Sequence, residues 1–130
     1  MVDQTKQQPA YVRVYSDADG ETHFENVYLP TEERSSPTGT VDALSAPLAN
    51  AGLVFRTVLM EASDTIPHNA PRRLIIVQLD GTVEVEVSDG ELRRFGPGSV
   101  LMVEDTTGKG HVTRTVSGGP RSTLVAELSY

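Results

Sequence analysis

Apolar and polar residues alternate along most of the chain with the two-residue period of a half-buried strand. Thr82 to Val87 is the cleanest case, with three Val on one face and Thr82, Glu84 and Glu86 on the other. Leu74 to Leu79 is a continuous β-branched and apolar run, ending at an Asp80-Gly81 hairpin turn. Tyr11 to Tyr15, Thr22 to Leu29, Leu53 to Glu61, Glu91 to Phe95, Ser99 to Val103, His111 to Val116 and Ser122 to Leu128 complete the set. About nine short strands at the spacing of a sandwich or barrel are predicted. No helical pattern lies between consecutive strands, so a parallel βαβ sheet is excluded.

The first third is less regular. Met1 to Pro9 reads as a loose arm, and Asp17 to Gly20 as a turn. Pro30 to Thr40 is rich in Pro, Ser, Thr and Gly and is expected to be a loop. Val41 to Ala51 is expected to form a short helical turn limited by Pro47, acting as a lid or arm over one end of the domain. Residues 1–51 are therefore assigned to an N-terminal arm with strands that pack on a core formed by 52–130, within one domain.

A length of 130 residues suits one such domain. Hydrophobic residues make up 38% and charged residues 22%, which excludes a disordered chain. The absence of Cys removes disulfides, thiolate metal sites and Cys nucleophiles together. It agrees with an expected cytoplasmic location. The polar first ten residues carry no apolar core of a signal peptide, and no run is long enough for a transmembrane helix. A formal charge of −7, with only the pairs Arg72-Arg73 and Arg93-Arg94 as basic clusters, argues against nucleic acid as a partner.

Two segments carry the candidate chemistry. His68-Asn-Ala70-Pro-Arg-Arg-Leu74 runs on to Gly81, and Phe95-Gly-Pro97-Gly98-Ser99 leads through Glu104-Asp-Thr-Thr-Gly-Lys-Gly to His111. Their spacing resembles the two motifs of the cupin superfamily, over about residues 52 to 128. Gly81, Pro97, Gly98, His68 and His111 stand at family positions. Ala70 and Leu74 replace a His and a Glu that usually bind metal, so the motifs are degenerate. The resemblance implies an all-β fold of the cupin type, a double-stranded β-helix or jelly-roll barrel, and a homodimer. It does not select a reaction, because the superfamily includes oxygenases, isomerases, lyases, cyclases and pure binding proteins.

In that frame His68 and His111 face an interior shared with Arg72, Leu74, Ile76 and Gln78 on one side and Thr113 and Thr115 on the other. Such a mixed wall suits a small organic molecule. His68 and His111 are expected to transfer protons, and Arg72 to hold a carboxylate or enolate. His23, Leu74, Ile76, Gln78, Thr113, Thr115 and Glu104 are the expected substrate-binding residues. No cofactor is predicted, since only two family ligands survive. A divalent metal would require His23, His68 and His111, with Glu61 or Glu104 supplying a carboxylate. Three readings remain: an acid–base isomerase, lyase, dehydratase or cyclase without metal; a non-catalytic ligand-binding protein; and a metal enzyme with a rebuilt ligand set. The bland alternative is that both His are inert remnants with satisfied hydrogen bonds.

Overall fold

The computed structural model describes residues 8–60 and 66–129. They form eleven strands and no helix. These are β1 (Tyr11–Ser16), β2 (Thr22–Val27), β3 (Thr31–Ser35), β4 (Val41–Ser45), β5 (Asn50–Val58), β6 (Leu74–Asp80), β7 (Val83–Val87), β8 (Leu92–Phe95), β9 (Val100–Val103), β10 (His111–Thr115) and β11 (Arg121–Leu128). The all-β expectation holds.

Six strands form the larger sheet, in the order β2-β1-β9-β6-β11-β5. Only the β1–β9 neighbours are parallel; the other four pairings are antiparallel. A second sheet has the order β10-β7-β8. Val14, Leu101 and Val103 of the larger sheet join Val83, Val85, Val87 and Phe95 of the smaller one in a single buried cluster. The arrangement is that of a β-sandwich, with the core between facing sheets.

The strict alternation of β7 explains its place. Val83, Val85 and Val87 are at most 5% exposed. Glu84 and Glu86 point away and meet Arg94 and Arg114 from the two neighbouring strands. The chain turns at Gly81, whose φ is +82°, but β6 and β7 do not pair: the expected hairpin is instead a crossing from the larger sheet to the smaller one. A Cβ there would lie 2.7 Å from Cβ of Arg121, so the position requires Gly twice over.

Two sequence expectations fail between residues 30 and 51. The expected loop contains β3, and the expected helical turn is β4 followed by the start of β5. Five residue pairs join β3 to β4. The turn between them closes through Ser36 N–H to Thr40 O (2.8 Å) and Gly39 N–H to Ser36 O (3.0 Å). Pro47 falls in the β4–β5 connection, where its missing N–H breaks no ladder. All residues of this hairpin are exposed, so it covers no part of the core.

The expected N-terminal arm is also more deeply built in. β1 lies between β2 and β9, and Val14 is fully buried. The outer face of the larger sheet exposes apolar side chains on β5 and at the end of β6. Phe55 is 79% exposed and Leu53 60%, with Leu79 exposed two strands away.

Candidate functional site

Between the inner faces of the two sheets lies a cavity of about 450 Å³. That volume is in the range of small-molecule sites. Leu74, Ile76, Leu101, Val103, Val83 and Val85 supply most of its apolar wall. Most of the polar groups lie toward its two ends, with Thr113 of β10 between them.

At the first end, His68 and His111 pair across an isolated antiparallel bridge. Each donates its N–H to the other's carbonyl, both at 2.9 Å. Their ring centroids are 4.6 Å apart and tilted by 58°. His68 is exposed at the mouth, whereas His111 is buried. His111 Nδ1 lies 2.5 Å from Oδ2 of Asp105, a carboxylate with no exposed surface. When Asp105 is ionised and the imidazole neutral, the carboxylate can only accept, which puts the ring proton on Nδ1 and the lone pair on Nε2. Asp105 therefore sets the tautomer and angle of the ring.

The loop from Glu104 to Gly110 holds this dyad against both sheets. Ala70 N–H donates to Asp105 O at 3.2 Å, and Asn69 Nδ2 donates to the carbonyls of Asp105 and Gly108. On the opposite side, Lys109 N–H donates to Gly20 O at 2.8 Å, and Thr22 Oγ1 donates to Gly110 O at 2.7 Å. Asp105, Gly108, Lys109 and Gly110 of this loop are thus anchored by hydrogen bonds.

At the second end stand Arg56, Gln78 and Arg121. Gln78 and Arg56 both pair in register with Thr123 of β11, which puts them in one row across three strands. Arg121 is 5% exposed, and its Nε donates to Thr115 Oγ1 at 3.1 Å. Gln78 is fully buried; its Nε2 donates to Gly81 O at 3.1 Å while its Oε1 has no partner among the described residues.

The expected site residues divide accordingly. His68, His111, Leu74, Ile76, Gln78 and Thr113 line the cavity. Arg72 does not: its guanidinium is exposed and pairs with Glu127 at 2.8 Å. The chain between His68 and β6 is not a regular strand, so the alternation assumed for Arg72 does not apply. Glu104 also misses the cavity, since Arg13 and Arg73 engage its two oxygens. Thr115 supports Arg121 instead of lining the wall.

His23 is placed elsewhere. It lies on the face of β2 opposite the buried Thr22 and Phe24. Its Nε2 is 2.7 Å from Asp17 and its Nδ1 2.8 Å from Asp89. Hydrogen bonds to Asp17 and then Asp89 raise its pKa above the ordinary 6.5, and the same contacts help hold both carboxyls below their usual range.

The residues present do not fit the metal that the cupin resemblance implies. Ala70 and Leu74 offer no donor atom and His23 is committed to its two carboxylates, which leaves His68 and His111 alone at the family's ligand positions. Among the described residues no three His, Asp or Glu side chains converge as a ligand group. Glu61 lies outside the described residues.

Asp105, Arg56 and Arg121 were not singled out by the sequence pattern. Arg121 shares the parity of Thr123 and Val125, which was a usable signal. Asp105 gave none, because an acidic residue in a Thr/Gly loop reads as solvated. No protein-family model matches the chain, and no curated protein matches it detectably in sequence.

Proposed function

We propose that the chain is a cupin-type enzyme that moves a proton on a small organic molecule without a metal, in an isomerisation, elimination or cyclisation. The observation that carries this reading is the sequence Asp105–His111–His68 at one end of a largely apolar cavity. His111, with Nε2 unprotonated and its ring fixed by Asp105, is the general base. His68, at the exposed mouth, exchanges protons with water and returns one to the substrate as general acid. The apolar walls lower the local polarity and strengthen hydrogen bonds to the reacting group. As part of the same reading, a second copy of the chain covers the apolar face at Leu53, Phe55 and Leu79, and sedimentation of the purified protein tests it.

The chemistry is tested without knowing the final product. Purified protein in D2O is given a panel of 2-oxo, 3-oxo and 3-hydroxy acids, and loss of the acidic C–H signal is followed by proton NMR. Exchange above the buffer rate is expected for at least one compound, unchanged by a chelator. His111→Gln should slow it by about a hundredfold or more, the usual contribution of a positioned base. Exchange that survives in His111→Gln, or no exchange with any compound, would leave ligand binding without turnover as the function.

A further inference from the structure

The protein carries a formal charge of −7, yet no Asp or Glu lines the cavity among the described residues, whereas two Arg do. We propose that the substrate is an organic carboxylate whose anionic group binds at the Arg56–Arg121 end while its apolar body extends toward His111.

Three observations carry this assignment. The first is charge. Arg121 is nearly inaccessible, and Arg56 reaches the cavity from β5 with no ion pair to any described residue. A guanidinium presents planar paired donors that match a carboxylate, and a site of low polarity strengthens that match. The second is Gln78. Its side chain is fully buried, Nε2 is committed to Gly81 O, and Oε1 faces no donor. A buried acceptor left unmet is costly, and a ligand hydroxyl or protonated carboxyl oxygen beside the carboxylate pole would satisfy it.

The third is distance. Along β10 the inward positions run from His111 through Thr113 to Thr115, the residue that receives Arg121 Nε. Four residues of strand span about 13 Å between backbones, and side chains project into that gap from both poles, so the poles are separated rather than touching. Ile76, Leu101 and Val125 lie in one register row between them and meet the apolar body. Binding at the Arg pole thus sets which carbon reaches the imidazoles.

This inference rests on the cavity being the substrate site of the proposed enzyme, but its test is one of binding. The intact protein is titrated by calorimetry with hexanoate and phenylacetate, and with the matched neutral probes hexanamide and phenylacetamide. At least one acid should bind, and at least tenfold tighter than its amide. Arg56→Gln, at an exposed position that leaves the core intact, should weaken the acid about tenfold and leave the amide unchanged. Equal affinity of acid and amide, no binding of either acid, or indifference to Arg56→Gln overturns the assignment. The two proposals fail separately. Acid binding that depends on Arg56 without any proton exchange removes the catalytic reading and keeps the ligand class. Proton exchange that is equally fast on neutral compounds does the reverse.

Discussion

The carbonyl of His68 lies where a Cβ on Gly110 would be, 2.5 Å away. Gly110 also has φ +75°, a left-handed conformation that L side chains rarely adopt. The close approach of the two backbones is what allows His68 and His111 to exchange both hydrogen bonds and bring their rings together. Gly110→Ala should therefore destabilise the protein by about 2 kcal/mol or more, from backbone strain and a backbone contact together. Gly118→Ala is the control, because Gly118 has φ +72° but open space where its Cβ would go. It should cost only the strain, about 1 kcal/mol. Urea unfolding of both variants checks the difference, and equal costs would mean that His68 yields freely.

The Asp105–His111 contact predicts a separation of stability from chemistry. Asp105→Ala removes the acceptor from a buried ring and should cost about 2 kcal/mol in urea unfolding. Asp105→Asn keeps the volume but can turn its amide N–H toward Nδ1, which moves the ring proton to Nε2. That variant should melt within a few degrees of wild type. It should lose proton exchange by at least about a hundredfold, the scale of a general base removed. Carboxylate affinity, which depends on the opposite end of the cavity, should stay within about threefold of wild type, since well-separated sites contribute independently. A full-rate Asp105→Asn variant would remove Asp105 from the mechanism.

These two sites differ in how far the sequence reveals them. Strands β6 and β7 were legible because Leu74–Leu79 and Val83–Val87 carry their own apolar pattern and Asp80-Gly81 its own turn chemistry, but the turn leads from one sheet to the other instead of closing a hairpin, which local sequence does not encode. The β3–β4 hairpin was not. It has only Val41 and Leu44 as large apolar residues, so no buried face writes an alternation into it. The pair His68 and His111 could be placed from motif spacing. Asp105 could not, because its burial depends on the loop folding back onto Gly20, Thr22 and Asn69, residues distant in sequence whose hydrogen bonds to the loop leave no local pattern. Arg72 shows the opposite error: alternation was extended through Pro71, where the chain is not a regular strand.

Gln78 offers a test in which binding and stability move independently. Gln78→Met conserves the volume and removes the hydrogen bond to Gly81 O, which is worth about 1 kcal/mol. It also removes the unmet Oε1 acceptor, whose burial opposes folding by a comparable amount. The unfolding free energy should stay within about 1 kcal/mol of wild type. Affinity for a 3-hydroxy acid should fall relative to that for the corresponding unsubstituted acid, because only the hydroxyl has a donor to offer Oε1. A loss of both affinities in equal proportion would place Gln78 in the wall and not in recognition.

His23 predicts a pH dependence that belongs to the fold and not to the cavity. It joins Asp17, in the β1–β2 turn, to Asp89, in the β7–β8 turn, and so ties the two sheets at one edge. Around it stand the Tyr15 ring, centred 5.6 Å away, Arg93 acting on Asp89, and the Lys109–Glu21 pair beside Asp17. The folded His23 has a pKa raised above 6.5, first by Asp17 and then by Asp89. Its contribution to stability is complete below 6.5 and is lost as pH rises through the raised folded value. Asp17 and Asp89 have pKa values lowered from 3.8, so their contributions are complete above 3.8 and fade as pH falls through the lowered values. The tie is therefore strongest between those limits. The difference in urea midpoint between wild type and His23→Gln should be positive at about pH 5.5, and should shrink at about pH 8.5. A difference that is flat across that interval would mean that His23 stays neutral between its two carboxylates, and that the sheets are held at this edge by other hydrogen bonds, those of Thr22 with Ser88 and Asp89 and of Arg93 with Asn26.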